Sequence, residues 1–121
     1  MRVFAFEKLN VWQDARELCV WIYEQTNKFP KQENFGIKNQ MRRCAISVSS
    51  NIAEGTGRLH KKEKIQFIAI AYSSLIELLN QLIISVDVGY LDSNELEKIR
   101  PLMLQISYRL TQLQKSIRQS N

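Results

Sequence analysis

The strongest constraint on the fold is an apolar seam near the carboxyl end of the chain. Seven apolar residues, the first Leu96 and the last Ile117, follow one another at alternating steps of three and four positions. This spacing keeps the side chains on one face of an α-helix and is typical of helices packed in bundles. The seam keeps its phase across Pro101, which predicts one kinked or late-starting helix rather than two elements. Asp92 with Glu95 is expected to cap this helix.

A first helix is predicted to begin near Asn10. Asn10 and Gln13 have the spacing of a capping box, in which each side chain bonds the backbone N–H of the other residue. Apolar residues then recur at helical spacing as far as Ile22. The helix is expected to end before Pro30, because the residue preceding a proline is driven away from the helical conformation.

The second and third helices are predicted on either side of a glycine-containing turn. The second begins at Asn34 or Ile37 and ends at Glu54, where Gly55 is expected to adopt the left-handed cap conformation. The third covers about residues 61 to 88 and is apolar around most of its circumference. A helix in a monomeric bundle buries one face, so the additional apolar face predicts self-association.

Four helices joined by short connections favour antiparallel neighbours. We therefore predict an all-α, up-down-up-down four-helix bundle that forms a single domain over residues 1–121. Cys19 and Cys44 lie in apolar segments and are expected to be buried free thiols in a reducing compartment. No signal peptide is visible and no apolar run is long enough to span a bilayer. The expected location is the cytoplasm, with no membrane partner.

The sequence offers no recognisable catalytic or metal-binding grouping. The one histidine, His60, has lysines as neighbours and is expected to be an exposed turn residue. Neither the Glu-x-x-His pattern of di-iron bundles nor a zinc-ligand spacing occurs. The stretch GTGR at 55–58 follows a helix and lacks the Gly-Lys-Ser/Thr ending of a phosphate loop. We expect a protein that is not an enzyme and that has no catalytic residue, metal or cofactor.

Charge is distributed in blocks along the chain. Residues 38–64 hold seven basic and two acidic side chains, whereas residues 65–97 hold five acidic and no basic ones. A charged run often forms only a solvated face. The alternative is a surface that binds nucleic-acid phosphates without reading base sequence, and the turn before the third helix adds the free N–H groups of a helix start. The candidate nucleic-acid-binding residues are Lys38, Arg42, Arg43, Arg58, Lys61, Lys62 and Lys64.

Polar residues also occur where an ordinary bundle carries apolar ones. If the second and third helices pack together, these residues face one another or meet a neighbouring subunit, and Arg42 or Arg43 pairs with one of the carboxylates. The first interpretation is a satisfied network that fixes helix register or an oligomer interface. The alternatives are a ligand or nucleic-acid site, and a catalytic carboxylate pair that lacks any accompanying nucleophile. The residues concerned are Ser47, Asn51, Glu54, Ser74 and Glu77.

Several stretches resemble one protein family. They are LNVWQDA at 9–15, FP at 29–30, ENFG at 33–36, QMRR at 40–43, SVSSNIAEG at 47–55 and AYSSLIEL at 71–78. In this order they resemble the four-helix-bundle family, also called the 23S rRNA intervening-sequence proteins and sometimes labelled ribosomal protein S23. The similarity extends from about residue 6 to 115, and the stretch at 47–55 is its most specific part. His60 departs from the pattern, because the family often has a Ser or Thr cap near this position.

The resemblance implies an antiparallel bundle that assembles as a homopentamer. Some members are encoded within insertions in bacterial 23S rRNA genes, and for most the function is unknown. A related branch, the accessory proteins of diversity-generating retroelements, resembles basic pentameric barrels that bind nucleic acid and a reverse transcriptase. We therefore expect a homo-oligomer that binds RNA or DNA through its basic surface. The alternative is a protein-interaction scaffold or accessory subunit without nucleic-acid binding of its own.

Overall fold

The computed structural model describes residues 2–120 and contains four long helices. They are α1 (Asn10–Thr26), α2 (Ile37–Gly57), α3 (Lys61–Asp87) and α4 (Ser93–Gln119). Two short 3₁₀ helices, Ala5–Lys8 and Lys31–Glu33, precede α1 and α2. No strand occurs between residues 2 and 120. The predicted all-α class with four helices is confirmed.

The helices pack in chain order, and α4 closes the arrangement by packing against α1. Hydrogen bonds show that α2 and α3 are antiparallel, because Ser47 near the middle of α2 meets Ser74, whereas Met41 near its start meets Ser85. The hydrogen bonds between α1 and α4 show that these helices are also antiparallel, because residues later in α1 bond to residues earlier in α4. The bonds between α3 and α4 follow the same pattern. The chain therefore runs up, down, up and down around one core.

The core consists of apolar side chains from all four helices. The seam predicted in α4 faces this core: its first five members are buried and its last two, Leu113 and Ile117, pack partly buried against it. The cysteines differ, since Cys44 is buried and Cys19 only partly so, and neither forms a disulfide. By length and composition α3 is the only helix within residues 2–120 that could cross a membrane. Packing against α2 and α4 buries part of its apolar surface and leaves the rest exposed.

The start of α1 differs from the predicted capping box. The residue that precedes the helix is Leu9, and no side chain caps the first turn. Instead, the Nε2 atom of Gln13 donates a hydrogen bond to the backbone oxygen of Glu7, 2.9 Å away in the preceding 3₁₀ turn. Glu7 in turn accepts a hydrogen bond from the Phe4 N–H at 2.8 Å. The prediction was wrong because this upstream turn, which the spacing of Asn10 and Gln13 does not reveal, provides the partner.

Gly55 does not end α2, which continues to Gly57. Among residues 2–120 the only glycine with positive φ is Gly89 (φ 85°), just after α3. Gly55 is helical and buried, and a Cβ atom there would lie 2.9 Å from the Cβ of Phe67. The predicted left-handed cap was therefore wrong. The glycine permits α2 and α3 to approach closely, which a side chain would prevent.

The start of α4 agrees better with the prediction. Asp92 caps the helix by accepting a hydrogen bond from the backbone N–H of Asn94 at 2.8 Å. Pro101 lies inside α4, and the helix runs without interruption from Ser93 to Gln119. Pro101 is exposed, so its ring occupies the solvent side of the helix and not the core.

Replacing Gly55 by alanine tests the close approach of α2 and α3. Alanine normally stabilises a helix interior by up to about 1 kcal/mol relative to glycine. Here its methyl group overlaps Phe67, so we expect Gly55→Ala to lower the free energy of unfolding by about 1–3 kcal/mol in urea titrations. Gly57→Ala is the matched control, because nothing lies within 4 Å of a Cβ there. A Gly55→Ala protein more stable than the parent would contradict this packing.

Candidate nucleic-acid interface

The structure divides the predicted basic residues between the two ends of the bundle. Lys38, Arg42 and Arg43 lie in the first turns of α2, whereas Arg58 follows its last residue. At 1.5 Å per residue, Lys38 and Arg58 are roughly 30 Å apart along the axis. The seven candidates therefore do not form one continuous surface.

Arg42 packs against the carboxyl end of α1. Its Nε atom donates to the Thr26 hydroxyl at 2.8 Å, and Nη2 donates to the Asn27 side chain at 3.0 Å and the Tyr23 carbonyl at 3.3 Å. The guanidinium also lies over the Tyr23 ring, 4.5 Å from its centroid. These contacts satisfy hydrogen-bond acceptors at the carboxyl end of α1. They also place the positive charge of Arg42 beside the partial negative charge of that helix end. Arg42 does not pair with a carboxylate, and its guanidinium is occupied within the fold.

Two of the lysines at the other end also cap helices. The Lys61 ammonium donates to the backbone oxygen of Arg118 at 3.1 Å and to that of Ser120. The Lys64 ammonium donates to the backbone oxygen of Thr56 at 3.0 Å. A lysine at a helix carboxyl terminus complements the partial negative charge of the unpaired carbonyls. These contacts place the end of α4 beside the start of α3.

The end of α4 adds two basic residues that the sequence analysis did not select. Lys115 and Arg118 are exposed and lie one turn apart near the contact with Lys61. Their block was visible in the sequence, because residues 98–121 contain five basic and no acidic side chains. Only the antiparallel packing brings the last part of this block to the α2–α3 turn. We call the resulting cluster the basic end; it comprises Arg58, Lys61, Lys62, Lys64, Lys115 and Arg118.

Arg58 links the basic end to two carboxylates. Its guanidinium is 3.8 Å from Glu54 and 3.8 Å from Glu63, and its central carbon lies 4.7 Å from the centre of the Phe67 ring. Exposed ion pairs of this length contribute little energy. Arg58 therefore stays accessible to a stronger anionic partner. Lys62, Lys115 and Arg118 form no side-chain hydrogen bond or ion pair with any described residue.

Three of the predicted polar residues meet between α2 and α3. The hydroxyls of Ser47 and Ser74 share a hydrogen bond of 2.8 Å. The Asn51 amide donates to the backbone oxygen of Ser47 at 2.8 Å and to its hydroxyl at 3.0 Å. The two carboxylates lie outside this network, because Glu54 is near Arg58 and Glu77 is beside Cys44. The structure thus separates Glu54 from Glu77 rather than forming a carboxylate pair.

An open polar groove of about 550 Å³ lies on the same side of the α2–α3 pair. Burial, together with the neighbouring Glu77 carboxylate, raises the pKa of the Cys44 thiol to about 11. The thiol is therefore protonated at neutral pH and is a poor nucleophile. Gln81 also lies beside Cys44, and its Oε1 atom is buried without a hydrogen-bond donor among the described residues. The groove is lined by Phe35, Asn39, Gln40, Arg43, Cys44, Ser47, Ser74 and Glu77.

A different surface extends along α3 and α4. Large apolar side chains remain exposed there, and between them lies a groove of about 240 Å³. Leu104 is the most exposed of them, at 70% of its full surface. We call this the apolar face; its exposed members are Tyr72, Ile76, Ile83, Leu104 and Tyr108. The apolar surface that α3 leaves exposed here thus continues onto α4.

The described part of the chain contains no group of three His, Cys, Asp or Glu side chains placed to hold a metal ion. His60 is exposed at the α2–α3 turn and forms no side-chain hydrogen bond with residues 2–120. It precedes α3 without capping it, so the helix begins at Lys61 despite the missing Ser or Thr. His60 therefore has no neighbouring side chain among residues 2–120 with which it forms a hydrogen bond.

Comparison with known proteins identifies relatives of this arrangement. The model of the 23S rRNA-intervening sequence protein family matches residues 7–112. A crystal structure of a protein with unknown function from the S23 ribosomal protein family of Bacteroides thetaiotaomicron has the same fold, with a TM-score of 0.79 at 22% sequence identity. The alignment covers 87% of this chain and 98% of the other. No curated protein matches the sequence.

The neighbouring residues Arg42 and Arg43 provide a test of the structural assignment of Arg42. Arg42→Ala removes three hydrogen bonds to the end of α1 and is expected to lower the free energy of unfolding by about 1–3 kcal/mol. Arg43→Ala, at an exposed position, is expected to change it by less than about 0.5 kcal/mol. Urea denaturation measures both. Equal stabilities of the two variants would show that Arg42 does not hold α1 to α2.

Proposed function

The chain belongs to the 23S rRNA-intervening sequence protein family, and from this premise we propose that it is a homo-oligomeric binding protein for RNA or DNA. The observation that carries the proposal is the basic end, where six basic side chains from two distant parts of the sequence surround one turn. Nucleic-acid affinity arises largely from the release of counterions when Lys and Arg neutralise phosphates. The activity proposed is binding, with no enzymatic step.

The basic end is suited to phosphates rather than to bases in a duplex. Its residues lie at a helix–helix turn and at the carboxyl end of α4, and no helix within residues 2–120 stands apart from the bundle there in a form that enters a major groove. Contacts of this kind fix position on the backbone and carry no direct sequence information. We therefore propose binding to structured RNA or DNA with little dependence on sequence in double-stranded regions.

Assembly is the second part of the proposal. The apolar face leaves large side chains in water, which is unfavourable for a monomer and is typical of a protein interface. Association through it repeats the basic end in each subunit, so that several weak phosphate contacts act together. The family resemblance implies a homopentamer. A reverse transcriptase is a further partner if the chain serves a retroelement, as the resemblance to that branch implies.

A protein-interaction scaffold without nucleic-acid binding is the alternative function. The apolar face favours it, because the same surface fits a partner protein as well as a second copy. In that case the basic end is only a hydrated charged surface that contributes to solubility. The two functions differ in whether affinity for nucleic acid exists and depends on salt.

Neutralising the basic end tests nucleic-acid binding. A variant that combines Lys62→Gln, Lys115→Gln and Arg118→Gln changes three exposed side chains that hold no other helix in place. We expect the parent to bind a structured RNA with an affinity that falls steeply with salt, and the variant to bind at least tenfold more weakly with a shallower salt dependence. Fluorescence anisotropy across a range of potassium chloride concentrations measures both.

The matched control neutralises three lysines at the opposite end of the bundle, with Lys28→Gln, Lys31→Gln and Lys98→Gln. It lowers the net charge by the same amount, so it corrects for the overall field of the protein. We expect this control variant to keep most of the affinity of the parent for RNA and the same dependence of that affinity on salt. Equal losses in the two variants would refute a specific role for the basic end, and no binding at low salt would favour the scaffold function.

Charge on the apolar face tests assembly. Ile76→Glu and Leu104→Glu each place a carboxylate on an exposed apolar position, so folding is preserved but burial in an interface becomes unfavourable. Light scattering is expected to show an oligomer for the parent and a smaller species for both variants. Val20→Glu, on the outer side of α1, is the control and is expected to leave the mass unchanged. A monomeric parent at micromolar concentration would refute self-association.

A further inference from the structure

The polar groove between α2 and α3 has two walls of opposite character. On the α2 wall, Arg43 extends an exposed guanidinium that forms no hydrogen bond or ion pair with residues 2–120. On the α3 wall, Glu77 presents a carboxylate that interacts with the Cys44 thiol and forms no ion pair with a basic side chain of residues 2–120. A donor fork on α2 and a carboxylate on α3, whose partner among the described residues is the Cys44 thiol, thus line one open groove of about 550 Å³, a volume within the range of ligand sites.

An aromatic ring lies at the mouth of the groove. Phe35 lines it from the segment before α2 and is 97% exposed. The ring is therefore accessible to a flat partner that enters the groove. Exposed aromatic rings are the usual platforms on which unstacked bases of single-stranded RNA lie.

The floor of the groove is polar as well. The hydroxyls of Ser47 and Ser74, which share a hydrogen bond of 2.8 Å, form part of it. A serine oxygen has two acceptor lone pairs, so these hydroxyls can also bond to water or to a polar ligand in the groove.

We propose that this groove binds an unstacked guanine base of the RNA whose phosphates lie on the basic end. Guanine has two adjacent N–H donors at N1 and N2, which match the two oxygens of the Glu77 carboxylate. Its O6 and N7 acceptors match the fork of the Arg43 guanidinium, the commonest specific contact between a side chain and guanine. Phe35 stacks on the face of the ring.

The other bases fit less well. Adenine presents a single amino donor beside an acceptor nitrogen, and that nitrogen would face the lone pairs of Glu77. The amino group of cytosine is flanked by an acceptor in the same way, and uracil has one N–H between two carbonyl oxygens. Guanine is the only standard base that offers a carboxylate two neighbouring donors while it offers an arginine two neighbouring acceptors.

The groove and the basic end lie on one face of the bundle. Arg43, Ser47, Asn51, Glu54 and Arg58 follow one another at steps of four, four, three and four along α2, which keeps them in one stripe. Arg43 and Arg58 are roughly 20 Å apart along the helix. A single strand that leaves the basic end therefore reaches the groove within a few nucleotides. This inference rests on the proposed RNA binding and adds a base preference to it.

The test uses fluorescein-labelled oligouridine with one central guanosine, and otherwise identical strands in which inosine or adenosine replaces the guanosine. Inosine lacks only the N2 amino group, so it removes one of the two donors to Glu77. We expect the parent to bind the guanosine strand about tenfold more tightly than either of the others. Glu77→Gln is expected to abolish this preference, and Phe35→Leu is expected to weaken binding of all three strands, because stacking does not distinguish the bases. The dependence of affinity on salt is expected to stay unchanged in both variants.

Glu24→Gln, at an exposed position of α1, is the matched control and is expected to retain the guanosine preference. Equal affinity of the parent for all three strands would overturn the guanine site and leave the proposed function intact. No binding of any strand or of structured RNA at low salt would overturn both. A change in oligomer mass caused by Glu77→Gln or Phe35→Leu would show that the groove is an interface between copies, which also overturns the guanine site.

Discussion

The close antiparallel packing of α2 against α3 is the contact on which the rest of the structure depends. A turn of residues 58–60 joins the two helices, and the absence of a side chain at Gly55 lets their backbones approach beside Phe67. This contact sets the register that places Ser47 against Ser74 and Cys44 beside Glu77. With that register fixed, α1 and α4 complete the bundle on the outer sides of the pair. The polar groove and the basic end are both products of the same alignment.

The bundle carries three surfaces of different chemistry on one small core. The basic end collects positive charge at the α2–α3 turn, the polar groove continues along the same face, and the apolar face occupies α3 and α4. Because these surfaces do not overlap, a subunit can associate with other copies through one and keep the others free. The proposed function uses this separation, since assembly repeats the phosphate-binding surface in each subunit.

Positive charge has two uses in this chain, and local sequence does not distinguish them. Arg42 and Arg43 are adjacent and chemically identical, yet Arg42 is directed towards α1 and Arg43 towards the groove, because successive residues of a helix point about 100° apart. Lys61 and Lys64 similarly bond the carbonyls at the ends of α4 and α2. The charge block at 38–64 was visible in the sequence. Which of its members hold helices together depends on which helix end lies within reach of each.

The sequence by itself determined the four helices, their approximate bounds and the core seam of α4, because apolar periodicity follows directly from helix geometry. It also marked the excess apolar surface of α3 and the polar residues between the second and third helices. Only the tertiary structure decided that Gly55 is a packing residue, that Gln13 bonds an upstream turn and that Lys115 and Arg118 join the basic end. These features depend on residues distant in the chain, and their positions follow from how the helices pack and not from the spacing within any one of them.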